Sequence, residues 1–205
     1  IMTAIVVIES ADLDEQIVIK PEWSAVEGSS MYANPGQSYT VRELLYGMML
    51  NSGNDAAAAL ACTLCGNESS FAEKMNEKAR ELGLENTSFR NPHGLDDEGH
   101  YSSARDMARL TAYCMKNDTF KSIVSTNCAV IKGVTYYNHN RLLREYEGCI
   151  GVKTGYTIAA GRTLVSCAER GGMRLVCVTL NAPDDWNDHK YLLDKVFSDY
   201  RIVLY

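Results

Sequence analysis

Apolar and polar positions divide the chain into a helix-patterned first part and a strand-patterned last third. Residues 1–8 form a nearly unbroken apolar stretch, and periodicity allows either the tail of a buried helix or a strand there. Residues 11–35 are polar and irregular, with room for a short strand around Ile17-Val18-Ile19. Thr40-Val41-Arg42-Glu43 has the spacing of a capping box and predicts a helix through Met49. A second helix is expected to open at Ser52, run through the alanines at 56–59 and end near Gly66. Its small side chains permit close packing, which predicts a central position. Ser70 is the expected cap of a third helix with Phe71, Met75, Ala79 and Leu82 on one face, stopped by Gly83. Asn91-Pro92-His93-Gly94 reads as a turn. Residues 103–116 read as a helix that turns Met107, Leu110, Thr111 and Cys114 inward.

The period then shortens. Cys128–Ile131 and Val134–Tyr137 flank Lys132-Gly133 and predict a hairpin. Residues 150–154, 163–167 and 174–180 predict three further strands, the last two joined by Arg170-Gly171-Gly172 in a tight antiparallel turn. A closing helix is expected over 188–197. Helices in the middle and an antiparallel sheet late predict an α+β fold and not alternating βαβ units.

Composition narrows the function classes. The chain of 205 residues has a formal net charge of −6, which argues against a phosphate-tracking nucleic-acid surface. Its apolar share of 46% is ample for a core. The apolar start is far shorter than the ~20 residues a membrane span needs. Seven cysteines lie mostly inside apolar patterns, where a free thiol behaves as a small hydrophobe, and unpaired thiols are expected.

Two short motifs carry candidate chemistry. Ser52-Gly53-Asn54 offers a hydroxyl and an amide from a helix start, although Ser, Asn and Asp also suit an ordinary N-cap. Read functionally, Ser52 passes a proton between a lysine base and a leaving amine. Asn54 hydrogen-bonds a substrate amide and holds the lysine. Lys153-Thr154-Gly155 sits on a predicted strand. Lys153 supplies positive potential for a substrate carboxylate, the Thr154 hydroxyl binds that carboxylate, and Gly155 lets an extended peptide lie against the strand. The N–H of Tyr156 is then placed as one oxyanion donor. A Ser-x-Asn followed by a Lys-Thr-Gly calls for a third element, Ser-x-x-Lys, and none stands upstream of Ser52.

The segments around both motifs decide the reading. Residues 44–57, ending Asn51-Ser52-Gly53-Asn54-Asp55-Ala56-Ala57, resemble the Ser-x-Asn region of low-molecular-weight penicillin-binding proteins. Gly151-Val152-Lys153-Thr154-Gly155-Tyr156-Thr157 with Ala160-Gly161 resembles their Lys-Thr-Gly strand. Asn91-Pro92-His93-Gly94-Leu95 and residues 100–108 resemble the link between them. The resemblance is to D-alanyl-D-alanine carboxypeptidases and runs over nearly the whole chain.

That resemblance implies a serine β-lactamase/transpeptidase-type fold, an antiparallel sheet with a helical lobe and the site between them, over a catalytic domain at 1–205. It implies acyl transfer at the D-Ala-D-Ala bond of a peptidoglycan stem peptide, with β-lactams as inhibitors and no metal or organic cofactor. Ser52, Asn54 and Lys153 carry over as catalytic, and Thr154, Gly155 and Tyr156 as substrate-binding. The nucleophile and its base are expected just before Ile1, so residues 1–205 alone are expected to be inactive. An extracytoplasmic location follows from where such a substrate lies. Membrane association is expected only through segments outside this chain.

The family's basic residue after the last strand is missing from residues 182–188, and Arg162 is a candidate substitute whose alternative is a solvated strand end. Other readings are a β-lactamase of the same fold, for which no deacylating Glu can be placed, a non-catalytic peptidoglycan-binding module, and a Cys-based redox or metal protein. Against the last, Cys62-Thr63-Leu64-Cys65 has no second pair. His93, His100, His139 and His189 lack metal-ligand spacing, and His93 is expected to make a structural hydrogen bond.

Overall fold

The computed structural model describes residues 1–200, so the domain end expected at Tyr205 lies outside the described residues. The apolar start is helical: α1 (Met2–Ser10) buries Met2 through Val7. A short strand β1 (Gln16–Val18) follows, then a single turn α2 (Pro21–Ser24). The chain returns as β2 (Ser38–Thr40), antiparallel to β1. Thr40 then caps α3 (Val41–Asn51) with both halves of the expected capping box.

Next comes α4 (Asn54–Cys65), in which every residue from Asn54 to Ala61 is buried. A helix buried all round belongs in the centre of a core. The alanines make this possible, because they let α1, α2, α3 and the following helix approach its axis. That following helix is α5 (Glu68–Glu81), and its cap differs from expectation. Asn67, not Ser70, is the N-cap, and its side chain accepts from the Ser70 N–H. α6 (Ala104–Cys114) starts at Ser103 as expected and buries Leu110, Thr111 and Cys114. α7 (Asp118–Ser125) was not expected. Asn117 caps it, and Phe120, Ile123 and Val124 form its buried stripe.

The expected hairpin appears as β3 (Cys128–Ile131) and β4 (Val134–Tyr137), paired antiparallel across Lys132-Gly133. A single turn α8 (Leu142–Glu145) leads into the main sheet. Its strands are β5 (Cys149–Thr157), β6 (Gly161–Arg170) and β7 (Met173–Thr179), antiparallel in the order β5-β6-β7. The closing helix α9 (Asp185–Asp199) packs on β6 and β7.

The sheet separates two apolar clusters. The larger joins the helical lobe and the hairpin to Val152, Val165 and Cys167. The smaller lies on the opposite face and joins Leu142, Tyr146, Leu164, Ala168, Cys177 and Leu193. The central strand β6 therefore has five consecutive buried residues, Leu164 to Ala168. The order β5-β6-β7 leaves β5 as an edge strand, with its free edge toward the helical lobe.

The back of the sheet also holds a polar fastening. His189 on α9 is fully buried. Its Nδ1 lies 2.6 Å from the Ser166 hydroxyl on β6, and its Nε2 lies 3.0 Å from the Thr179 hydroxyl on β7. Burial lowers its pKa from the usual 6.5 to about 4, against the opposing influence of Asp185. The unfolded chain thus binds this proton more readily than the folded one. The contribution of a neutral His189 is complete above pH 6.5 and declines as pH falls from 6.5 toward 4. A His189→Gln variant is expected to lose about 3 kcal/mol less stability than the parent between pH 7.5 and pH 4, read from urea midpoints at the two pH values. Parallel declines in both proteins would count against this account.

All seven cysteines are free, as expected. No helix among the described residues is long and apolar enough to cross a membrane.

Candidate active site

The two motifs meet at the free edge of β5. Lys153 reaches from β5 into the helical lobe, and its Nζ donates to the Ser52 hydroxyl and, at 3.1 Å, to the Thr154 carbonyl. This joins residues 101 positions apart. Lys153 and Ser52 are both only partly exposed. Desolvation lowers the Lys153 pKa from 10.5 to about 8, so the ammonium remains mostly protonated at neutral pH.

Ser52 does not open α4. It closes α3 as its C-cap, in the left-handed region at φ 58° and ψ 35°, and its N–H returns to the Gly47 carbonyl. Gly53 is the N-cap of α4. Both Ser-Gly and Gly-Asn are therefore junctions, and a left-handed residue between two helices turns the Ser52 hydroxyl out toward Lys153. The glycine answers a close approach. A Cβ at position 53 would sit 3.0 Å from the Met31 backbone N and 3.3 Å from the Gly47 carbonyl oxygen. That crowding favours Gly over Asp in the middle of this Ser-x-Asn.

Asn54 is buried, and its Nδ2 donates to the Glu27 carbonyl at 2.7 Å. Its donor side thus holds a loop, in place of the expected lysine. Among the described residues no donor reaches Oδ1. The same loop is tied to Asp55, a carboxylate that is 1% exposed. Asp55 accepts from the Ser30 hydroxyl at 2.7 Å, the Met31 N–H at 2.9 Å and the Ala33 N–H at 2.9 Å. Asn51 adds a bond to the Ser30 carbonyl at 2.7 Å, and the Asn54 N–H one to the Ser29 carbonyl at 2.8 Å. Residues 27–33 are therefore a backing for the Ser-Gly-Asn junction. Sequence reading missed Asp55, since its acidic residue type gave no sign of a loop more than twenty positions earlier.

Further along β5, Thr154 is partly exposed, while Gly155 and Tyr156 are exposed. Gly155 pairs with Thr163, whose hydroxyl would lie 2.5 Å from an added Cβ. The structure thus brings Ser52, Lys153 and Thr154 to one edge, with Asn54 beneath them and Gly155 and Tyr156 leading outward.

Arg162 occupies neither expected role. Its guanidinium donates twice to one oxygen of Asp185, at 2.9 and 3.2 Å, and lies over the Trp186 ring. Asp185 is 2% exposed, so the cation is held to offset a buried charge. One other expectation, for His93, holds. His93 makes structural contacts, accepting from the Leu95 N–H at 3.3 Å and lying 3.3 Å from Glu68. Among the described residues no cluster of three or more His, Cys, Asp or Glu side chains could hold a metal ion.

A family model described as D-alanyl-D-alanine carboxypeptidase matches residues 1–184. The chain belongs to that family. It is 38% identical to the Bacillus subtilis D-alanyl-D-alanine carboxypeptidase DacF over 98% of its own length and 55% of the relative's. It is 36% identical to DacB2 of Mycobacterium tuberculosis over 97% of its own length and 72% of the relative's. The chain thus spans little more than half of DacF. Among solved structures, the Streptomyces K15 DD-transpeptidase superposes with a TM-score of 0.87 at 35% identity, covering 96% of this chain and 83% of that one. A Mycobacterium tuberculosis D-alanyl-D-alanine carboxypeptidase gives 0.90 at 35% identity, covering 96% and 79%. The expected fold class is thereby established for this carboxypeptidase-family chain.

Proposed function

We propose that the protein is a serine-type D-Ala-D-Ala carboxypeptidase that trims peptidoglycan stem peptides, and that residues 1–205 belong to one catalytic domain. The contact of Lys153 with Ser52 across the edge of β5 supports this most directly. A serine Oγ attacks the carbonyl of the penultimate D-Ala, forming an ester as the C–N bond to the last D-Ala breaks. The serine proton passes through a lysine base and Ser52 to the leaving amine. Water then cleaves the ester and restores the serine. Ser52 acts as the proton relay, Lys153 holds its hydroxyl and adds positive potential, and Asn54 Oδ1 is available to a substrate N–H. Thr154 binds the terminal carboxylate, Gly155 admits the extended peptide, and the Tyr156 N–H serves as oxyanion donor. β-Lactams acylate the same serine. The substrate places the protein outside the cytoplasm, in the cell envelope or secreted.

Ser-x-x-Lys occurs nowhere in the 205 residues, so they supply the relay without the acyl acceptor. Two preparations incubated with a fluorescent penicillin test the reading. The full-length protein is expected to be labelled covalently and to release D-Ala from a stem pentapeptide. A polypeptide of residues 1–205 is expected to remain unlabelled, because losing the nucleophile of such a unit removes nearly all of its catalysis. Labelling of the shorter polypeptide would show that the nucleophile lies within it. A full-length protein that neither labels nor releases D-Ala would overturn the proposed function.

A further inference from the structure

Outside both motifs, one tyrosine reaches the segment packed behind Ser52. β4 packs on α3, and Tyr136 is the buried residue of that strand, 6% exposed. Its hydroxyl donates to the Met31 carbonyl at 2.7 Å, joining residues 105 positions apart. This phenol has no part in the proposed chemistry.

Met31 is fully buried, and its N–H is held by Asp55 at 2.9 Å. The peptide that follows is held at both ends. Its carbonyl accepts from Tyr136, and its N–H, that of Tyr32, donates to the Ser30 hydroxyl at 2.8 Å. Tyr32 then stands in the left-handed region at φ 58°, with its side chain exposed. A bulky residue rarely adopts that backbone, and it persists where the surroundings over-determine it. The Tyr136 bond is one of those restraints.

The other side of Met31 lies against the turn that carries Ser52. An added Cβ on Gly47 would overlap the Met31 Sδ, and one on Gly53 would lie 3.0 Å from the Met31 backbone N. The Gly47 carbonyl accepts from the N–H of Ser52 and, at 3.2 Å, from that of Gly53. Met31 is therefore a wedge seated against the two glycines that frame the Ser52 turn. Asp55 fixes the wedge from α4, and Tyr136 fixes it from the hairpin.

We propose that Tyr136 is a positioning residue for Ser52, acting through Met31 to keep the Ser52 hydroxyl in reach of Lys153. This rests on the proposed function, in which Ser52 relays a proton, and extends it to the β3–β4 hairpin. Without the phenolic hydroxyl the Met31 carbonyl is unpaired in a buried place, and the wedge loses its second fastening. A relay hydroxyl tolerates little misplacement, because proton transfer depends on a near-ideal geometry.

A double-mutant cycle in the full-length protein tests this, with acylation by fluorescent penicillin as the readout. Tyr136→Phe keeps the ring and is expected to slow acylation about tenfold, with a thermal midpoint about 2–4 °C lower. In the Ser52→Ala background, where no relay hydroxyl remains to be placed, the same substitution is expected to cost less than about twofold. Gly47→Ala pushes on the wedge from the opposite side and is expected to show the same dependence on Ser52. Equal losses in both backgrounds would mean that Tyr136 supports only the fold and would overturn the inference, as would no loss in the parent background. Failure of both Tyr136→Phe and Gly47→Ala to fold would overturn it too. If the parent reacts and the cycle is additive, the inference alone fails. If the parent neither labels nor releases D-Ala, the proposed function fails and the inference fails with it.

Discussion

Lys153→Ala in the full-length protein is expected to lower the acylation rate by fluorescent penicillin by about two to three orders of magnitude, the cost typical of removing one preorganised donor from a site of developing charge. The variant should fold. A lysine whose pKa has dropped to about 8 is held at a desolvation cost, and removing it relieves that cost. Its thermal midpoint is therefore expected to stay near the parent's. The pH profile is a second readout. In the parent, kcat/KM should fall as pH rises through about 8, because Lys153 loses the proton that gives it positive charge. The variant should lack that alkaline limb. Lys153→Arg is not expected to rescue, since a planar guanidinium cannot occupy the place of a compact ammonium beside a serine hydroxyl. Unchanged acylation in Lys153→Ala would mean that the contact with Ser52 plays no part in the chemistry.

Asp55→Ala is expected to be the most destabilising single substitution near the site, at about 3–5 kcal/mol. The estimate follows from burial with three donors. Removing the carboxylate leaves the Met31 and Ala33 N–H groups without a partner in a dry place, and each unsatisfied donor costs about 1–3 kcal/mol. Urea midpoints with an unchanged m-value would measure this loss. Activity should fall further than stability alone explains, because residues 27–33 hold Asn54 through the Glu27 and Ser29 carbonyls. A cost below about 1 kcal/mol would show that Asp55 does not hold the loop.

What the sequence revealed depended on the range of the interactions involved. Thr40 and Glu43 specify a helix start within four residues, so the capping box was readable and correctly placed. The hairpin across Lys132-Gly133 and the turn at Gly171-Gly172 were readable for the same reason. Ser70 misled because a cap three residues earlier, Asn67, uses the Ser70 N–H as its partner. α7 was overlooked although Asn117 and the spacing of Phe120, Ile123 and Val124 signal it; eight residues give a weak period. Ser52 was legible as chemistry but not as geometry, because serine before a helical pattern reads as an N-cap whether it opens one helix or closes another. The Arg162–Asp185 pair and the reach of Asp55 to residues 30–33 join distant segments, and no local pattern announces either. The meeting of Ser52 with Lys153 was inferred from motif and resemblance, and periodicity alone could not have supplied it.

The left-handed backbone at Ser52 limits how this position can vary over generations. Threonine offers the same hydroxyl and lies a single nucleotide change away. A β-branched side chain at φ 58° is a strained outlier, however, so the exchange that looks most conservative would cost stability before any chemistry was tested. Glycine and asparagine accept that backbone with ease and supply no hydroxyl. Serine is the residue that meets both demands, so mutational drift at position 52 has almost nowhere to go.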